Sequence, residues 1–136
     1  MAEKDTYIPF EKNDDKIILF KILLKCGDVS HPARQLENHL KWSRRCFDEF
    51  FRQGDEEKRL KLPPSPFMDR DTTKLGGAQL GFIEFICLPV FEALDSYIKL
   101  GVVIDTLKSN RNFWKSKKEE EDTKGVGYQF PPSALE

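Results

Sequence analysis

The sequence contains little of what self-contained metal, disulfide or nucleic-acid sites are usually made from. Its 136 residues carry 22 Lys and Arg against 23 Asp and Glu, and the net charge of −1 gives no overall field that would hold nucleic acid or an anionic membrane. The three cysteines are odd in number and set in apolar runs, which argues against a disulfide framework or a zinc knuckle and favours buried thiols in a reducing compartment. The two histidines show no HxH or HExxH spacing, so a self-contained zinc site is not predicted.

Long apolar runs and strand patterns are missing as well. The longest apolar stretch, Ile17 to Leu24, is interrupted by Lys21 and is too short to span a bilayer, and no secretory signal opens the chain. We therefore expect a soluble cytoplasmic protein with no membrane segment in these residues. No segment alternates polar and apolar residues as a half-buried strand does, so the predicted fold class is all-α.

Apolar and aromatic residues suited to a helical core are abundant. Hydrophobic residues make up 39% of the chain and 11 residues are Phe, which is enough for one domain with a packed core. The first predicted helix is apolar on nearly every side and is expected to be buried all round, and the third is expected to kink at Pro89. The four helices predicted from apolar periodicity cover residues 14–25, 33–53, 78–100 and 102–114.

Polar segments surround and divide these helices. Residues 1–13 are predicted as a polar lead-in, and residues 54–77, with three prolines, as loop and turn. Residues 14–116 form the predicted folded part. Residues 117–136 begin in a charge run and are predicted as a charged, loosely ordered tail.

The second predicted helix carries two neighbouring stripes. Such a wide apolar arc, which includes a histidine and an indole N–H, can cover a core and also line a cavity. The adjoining stripe consists of His39, Trp42 and Cys46 at spacings of three and four. The main stripe consists of Leu36, Leu40, Ser43, Phe47, Phe50 and Phe51.

Two polar residues outside these stripes are candidates for chemistry. Asp28 follows an apolar helix, close to the negative end of the helix dipole, where a carboxylate needs a compensating N–H group, Arg or cation. It is read either as a turn or N-cap aspartate or as a ligand of a hard cation. Gln79 opens the third helix and shares a face with Phe82. An amide beside an aromatic ring can pair with a purine edge and cover its face, although the same pattern also suits a polar first turn above a core stripe.

Four segments in register carry a resemblance to a known family. KCGDVSHPAR, DEFFRQGDEEKRLKLPPSPFMDRD, AQLGFIEFICLPVFE and DTLKSNRNFWKS are similar to the C-terminal part of the catalytic domain of class I 3′,5′-cyclic-nucleotide phosphodiesterases, from about Lys16 to Ser116. The resemblance implies an all-α subdomain of an enzyme that hydrolyses cAMP or cGMP to the 5′-monophosphate. It also implies a Zn²⁺ paired with Mg²⁺ or Mn²⁺, with a bridging hydroxide as the nucleophile.

The resemblance further implies roles for individual residues. Asp28 occupies the place of a metal ligand, Gln79 the place of the glutamine that hydrogen-bonds the purine, and Phe82 the place of the ring that stacks on it. The remaining positions that resemble the family's substrate pocket are His31, His39, Trp42, Cys46, Phe50 and Phe67.

Several features depart from the family pattern. His31 is similar to the calmodulin-regulated dual-specificity branch, whereas the PFMDRD segment resembles the high-affinity cGMP-preferring branch, so base preference stays open. Cys46 stands where a branched aliphatic residue is usual, which implies a looser clamp on the purine. The HNxxH and HDxxH segments, which supply the general-acid histidine and the other metal ligands, do not occur in these residues.

Two hypotheses follow. The leading one is the C-terminal part of a metal-dependent phosphodiesterase that contributes the purine pocket and one metal ligand, holds no catalytic residue itself and is inactive alone. We expect such a chain to be a truncated piece, with homo-oligomerisation through its apolar first helix as one expectation. The alternative is a non-catalytic helical module that binds a partner helix in the groove near Gln79, Phe82 and Trp42.

Overall fold

A computed structural model of the chain describes residues 13–135, and these residues are helical with no strand among them. The all-α prediction is confirmed. The predicted lead-in lies almost wholly outside the described residues. The helices are α1 (Asn13–Asp28), α2 (Leu36–Arg59), α3 (Leu75–Phe82), α4 (Leu88–Asp95) and α5 (Gly101–Lys124), with 3₁₀ turns at His31–Ala33 and Pro132–Leu135 and a π-helical turn at Ile83–Cys87.

Helix α2 continues beyond the end predicted from the sequence. The residues GDEEKR, read as the beginning of a loop, form the last turns of the helix. Gln53 Nε2 donates to Glu57 Oε1 at 2.8 Å, and Arg59 Nε donates to Glu56 Oε2 at 2.7 Å. Polar pairs three and four residues apart support a helix without any apolar stripe, which is why periodicity alone placed the end too early.

Pro89 interrupts the long apolar segment as expected, and the structure shows the form of the interruption. A π-helical turn at Ile83–Cys87 joins α3 to α4, and Pro89 lies in the first turn of α4. Proline lacks an N–H and its ring clashes with the carbonyl four residues earlier. A wider turn directly before Pro89 accommodates both effects, so α3 and α4 follow one another with little interruption.

Helix α5 presents one buried stripe to the core and extends past its predicted end. It continues to Lys124, where Gly125 adopts a left-handed φ of 68° and ends the helix. After Trp114 the next fully buried member of the stripe is a glutamate. The apolar periodicity that predicts the helix therefore ends at Trp114. The buried members are Ile104, Leu107, Asn110, Trp114 and Glu121.

The segment after α5 folds back onto the core. The rings of Tyr128 and Phe130 lie 5.0 Å and 6.2 Å from that of Trp114, and Ala134 is buried. The prediction of a loosely ordered tail is therefore corrected for these residues. The charged composition predicts a solvent-exposed segment, but the few aromatic residues of this segment pack around the buried indole of Trp114.

Helix α1 is only partly buried, contrary to the expectation that it would be buried all round. Cys26 is its one buried residue, while Phe20 and Leu24 are largely exposed. The other exposed apolar residues of α1 are Ile17, Ile18 and Leu23. One face of the helix packs on α4, and the other is apolar and uncovered within the described residues.

The segment Leu75–Asp95 is long and apolar enough to cross a membrane by length and composition alone, with a mean hydropathy of 1.5. About a third of it is buried within the described residues. α3 packs on α5, α4 packs on α1 and α5, and Ile83 and Cys87 are fully buried between them.

Helices α3 and α5 lie close together at Gly76, which yields a test of the packing. A Cβ added there would lie 2.7 Å from the backbone nitrogen of Lys118, so Gly76→Ala forces the helices apart and is expected to lower the free energy of unfolding by about 1–3 kcal/mol. An added Cβ at the adjacent Gly77 meets nothing within 4 Å. Gly77→Ala is therefore expected to stabilise the helix, by up to about 1 kcal/mol.

Urea denaturation followed by circular dichroism measures both variants. Changes of opposite sign in the free energy of unfolding of the two variants support the close approach of α3 and α5. Equal effects would contradict it.

Candidate functional site

An open cleft of about 450 Å³ lies between α2 and the segment formed by α3 and the π-helical turn. Its wall is mostly aromatic and aliphatic, with few polar groups. This is the usual character of a small-molecule pocket. The lining residues are His31, Cys46, Phe47, Phe50, Phe67, Gly77, Ala78, Gln79, Gly81, Phe82, Phe85 and Ile86.

Gln79 supplies the side-chain amide of the cleft. It lies on α3 and is only 5% exposed, and Ser43 Oγ on α2 donates to its Oε1 at 3.5 Å. The amide keeps two N–H donors and the second lone pair of Oε1. Because a buried amide without partners is costly, these groups define where a polar ligand edge would bind in an otherwise apolar cleft.

A buried hydrogen-bond network lies behind Gln79 and assigns the protons of His39. The indole N–H of Trp114 donates to His39 Nε2 at 2.6 Å, and both residues are 0% exposed. An indole nitrogen is a donor only, so His39 Nε2 is unprotonated and its proton lies on Nδ1. That Nδ1 is 3.0 Å from His31 Nδ1 and 3.4 Å from Ser43 Oγ. The network therefore runs from Trp114 through His39 and Ser43 to the amide oxygen of Gln79.

Both histidines are held in the neutral form. Burial lowers the pKa of His39 to about 3, with a smaller effect from His31. Burial also lowers the pKa of His31 to about 4, with a smaller effect from Arg34. The charged form of either ring would lose hydration that its neighbours do not replace.

His31 and Phe82 form one side of the cleft. The His31 ring stacks on that of Phe82 at 5.8 Å and on that of His39 at 5.0 Å. The turn that carries His31 is fixed from α5, because Asn110 Nδ2 donates to the carbonyls of Pro32 and Arg34 at 2.8 Å and 2.7 Å. Two hydrogen bonds from one buried amide restrict the movement of this turn.

Phe67 also lines the cleft and comes from the loop after α2. It has a left-handed φ of 68°, which is unfavourable for a bulky residue unless the surrounding chain enforces it. Lys58 Nζ donates to Asp69 at 2.6 Å and to Asp71 at 2.7 Å, and so fixes the following turn.

Comparison with known proteins places this arrangement in a family. The family model described as 3′5′-cyclic nucleotide phosphodiesterase matches residues 1–107. The chain belongs to this family. The match includes α2, α3 and every residue of the cleft wall, but it ends before Trp114 and Glu121.

Individual relatives agree with the family match. The high affinity cAMP-specific and IBMX-insensitive 3′,5′-cyclic phosphodiesterase 8A of Mus musculus is 34% identical over 108 residues, which are 79% of this chain and 13% of that protein. The dual specificity calcium/calmodulin-dependent 3′,5′-cyclic nucleotide phosphodiesterase 1B of Bos taurus is 45% identical over 88 residues, 65% of this chain and 16% of that protein. The solved structure of LmjPDEB1 in complex with IBMX has a TM-score of 0.73 at 28% identity, and the alignment covers 81% of this chain and 34% of that one. The chain thus spans a small part of these phosphodiesterases.

The cleft brings together most of the residues predicted as a purine pocket. Gln79, Phe82, His31 and the residues Cys46, Phe50 and Phe67 all line it. Burial, with a smaller effect from Glu49, raises the pKa of the Cys46 thiol, so this wall position is uncharged. Their role in substrate binding stays a prediction.

His39 and Trp42 do not line the cleft, which corrects the prediction that the whole second stripe faces it. His39 lies behind the wall and contacts Trp114, and Trp42 is 45% exposed with the Arg45 guanidinium 5.5 Å from its ring centre. A stripe at spacings of three and four turns gradually around the helix. Only Cys46, at its far end, reaches the cleft.

Asp28 is separate from the cleft wall. Its side chain is 72% exposed, and its ion-pair partner is Lys25 Nζ at 3.6 Å. In residues 13–135 no group of three or more His, Cys, Asp or Glu lies close enough to hold a metal ion. The chain's own described residues therefore do not form a phosphodiesterase metal centre, and Asp28 offers at most one ligand to it.

Several residues that shape the site were missed or given no function from the sequence. Ser43 was read as a member of an apolar stripe, although a single hydroxyl in that stripe was a usable signal for a buried polar contact. No role was predicted for Trp114, because a local pattern does not indicate a hydrogen-bond partner 75 residues away. The lining positions that received no role were Phe47, Phe85, Ile86 and the small residues Gly77, Ala78 and Gly81.

The lowered histidine pKa values predict how stability depends on pH. Below pH 6.5 the unfolded chain protonates His39 while the folded chain does not, so the unfolded state binds more protons and stability falls as the pH drops toward 3. Between pH 7 and pH 5 we expect His39 to contribute a loss of about 2 kcal/mol, and His31 acts in the same direction.

Urea denaturation at pH values between 7 and 5 measures this slope. His39→Gln keeps an acceptor for the Trp114 N–H but cannot titrate, so it is expected to be less stable at pH 7 and to show a shallower decline. If the stability of the wild type did not change across this range, the conclusion that the two histidines are buried and neutral would be refuted.

Proposed function

We propose that the complete enzyme hydrolyses 3′,5′-cyclic nucleotides, cAMP or cGMP, to 5′-monophosphates, and that this chain supplies its purine-binding cleft. One observation carries the proposal: the buried Gln79 amide is held from behind by Ser43 and opens onto an apolar cleft beside the Phe82 ring. Membership of the phosphodiesterase family gives the reaction class. The chain has no complete catalytic apparatus of its own and is proposed to be inactive alone.

The chemistry of the cleft suits a purine. A flat, weakly polar ring system gains by leaving water for an aromatic wall, and its edge carries adjacent hydrogen-bonding groups that an amide can match. Gln79 has two donors and one acceptor lone pair left after its contact with Ser43, so it can pair with either adenine or guanine. The relatives described above are named as cAMP-specific and as dual specificity enzymes.

We further propose that Asp28 provides one ligand to a metal centre, Zn²⁺ with Mg²⁺ or Mn²⁺, that the histidine-bearing segments complete. Support comes from its place in the KCGDVSHPAR segment and from its exposure at the end of α1, where other parts of the enzyme can reach it. The metals supply Lewis-acid activation of the reacting water and phosphate when they are bound. We also propose a cytoplasmic location, and homo-oligomerisation through the uncovered apolar face of α1.

The base-binding role of Gln79 is testable by substitution in the complete enzyme. Gln79→Ala removes the paired hydrogen bonds to the base and is expected to raise KM for the preferred nucleotide about 5- to 150-fold, which corresponds to roughly 1–3 kcal/mol. The matched control is Gln53→Ala, because Gln53 lies on the exposed face of α2. Equal KM values for wild type and Gln79→Ala would show that the cleft does not hold the base.

The rate of cyclic-nucleotide hydrolysis tests whether Asp28 is a metal ligand. Asp28→Ala is expected to abolish most hydrolysis with either nucleotide, whereas Asp105→Ala, which removes an exposed carboxylate on α5, leaves the rate unchanged. Bound metal is measured in both variants by elemental analysis. A full rate in Asp28→Ala would remove Asp28 from the metal centre, and a wild-type enzyme that hydrolyses neither nucleotide would overturn the function itself.

A further inference from the structure

Helix α3, which carries Gln79, begins without a cap from its own sequence. Lys74 occupies the N-cap position and makes no side-chain cap hydrogen bond. The first N–H groups of a helix have no partner within the helix and must find one elsewhere. For Gly76 that partner is Glu121 on α5, whose Oε1 and Oε2 accept from the Gly76 N–H at 3.0 Å and 3.1 Å.

Glu121 is buried, which a glutamate rarely is without compensation. It is 1% exposed, and its Oε1 also accepts from the N–H of Tyr128 at 2.9 Å. A carboxylate beneath the positive end of a helix is further stabilised by the helix dipole. One side chain therefore joins the start of α3, the last turns of α5 and the segment that follows them.

The segment after α5 also supports the other side of Gln79. Gly125 turns the chain back, and the rings of Tyr128 and Phe130 pack on Trp114, whose N–H fixes His39 and through it Ser43. The Gln79 amide is therefore supported in two ways, through the start of α3 and through the hydrogen-bond network behind it. Both supports include contacts with the segment that follows Glu121. Glu121 lies outside residues 1–107, the part matched by the family model.

We propose that Glu121 is a positioning residue for the cleft. It fixes the start of α3 against α5 and thereby sets where the Gln79 amide, about one turn further along, enters the cleft. The inference rests on the proposed role of Gln79 in binding the base. It assigns Glu121 no contact with substrate, since Glu121 acts through the backbone of α3.

The test uses the side-chain amide signals of Gln79 in a ¹⁵N NMR spectrum of the unliganded chain, assigned by their loss in Gln79→Ala. Glu121→Ala is expected to shift and broaden these signals, and Glu121→Gln, which keeps one acceptor, to shift them less. Glu119→Ala, on the exposed face of α5, leaves them in place. If Glu121→Ala does not fold, Glu121→Gln against Glu119→Ala decides the question.

A variant that only lowers stability separates positioning from general destabilisation. Leu94 is buried on α4, about 22 Å along the apolar segment from Gln79. Leu94→Ala is expected to lower stability while leaving the Gln79 signals unchanged. Signals that are unchanged in both Glu121 variants, or that shift equally in Leu94→Ala, would overturn the inference.

In the complete enzyme, Glu121→Gln is expected to raise KM several-fold with kcat retained. An unchanged KM would show that the contact between Glu121 and the start of α3 has no effect on binding in the cleft, and it would overturn the positioning role. The NMR result needs no nucleotide, so it stands or fails separately from the proposed hydrolysis.

Discussion

The indole N–H of Trp114 on α5 donates a hydrogen bond to His39 on α2, and both side chains are fully buried. This bond joins the two long helices of the chain. An unsatisfied indole N–H or imidazole at this depth would cost about 1–3 kcal/mol, so each residue requires the other. Because the indole can only donate, the bond also sets which nitrogen of His39 carries the proton. That choice determines which contacts His31 and Ser43 make, and through Ser43 it determines what Gln79 presents to the cleft.

This arrangement connects the stability of the core with the chemistry of the cleft. A buried polar network is stabilising only when every member has a partner, and here the last member is the amide that faces the cleft. Burial and a long contact of 3.5 Å from Ser43 restrict the amide before any ligand arrives, which reduces the entropy lost on binding. Asn110 and the Glu121 carboxylate hold the surrounding backbone in the same way, from positions on α5 that do not line the cleft.

The parts that local sequence patterns predicted are those that depend on local physics. The helical class, the interruption at Pro89 and the common face of Gln79 and Phe82 follow from spacing and from the geometry of proline. The ends of α2 and α5 were misplaced because side-chain pairs and a buried glutamate replace apolar residues there. The positions of His39 and Trp42 required knowledge of which helix packs on which face, and that depends on contacts between residues far apart in sequence.

Asp28 shows a different limit. Its likeness to a metal ligand came from the resemblance to phosphodiesterases, and the structure leaves it exposed beside Lys25. No pattern within this chain could supply the other ligands of a metal centre. Gln79, in contrast, has its supporting residues within the chain, so its geometry can be tested without the rest of the enzyme.

The protonation of His39 tests the central claim most directly. A long-range ¹⁵N–¹H correlation spectrum of the imidazole at neutral pH distinguishes the two neutral tautomers and the charged ring. The hydrogen bond from Trp114 predicts a proton on Nδ1 and none on Nε2. A proton on Nε2, or a charged ring, would contradict the network that holds Gln79.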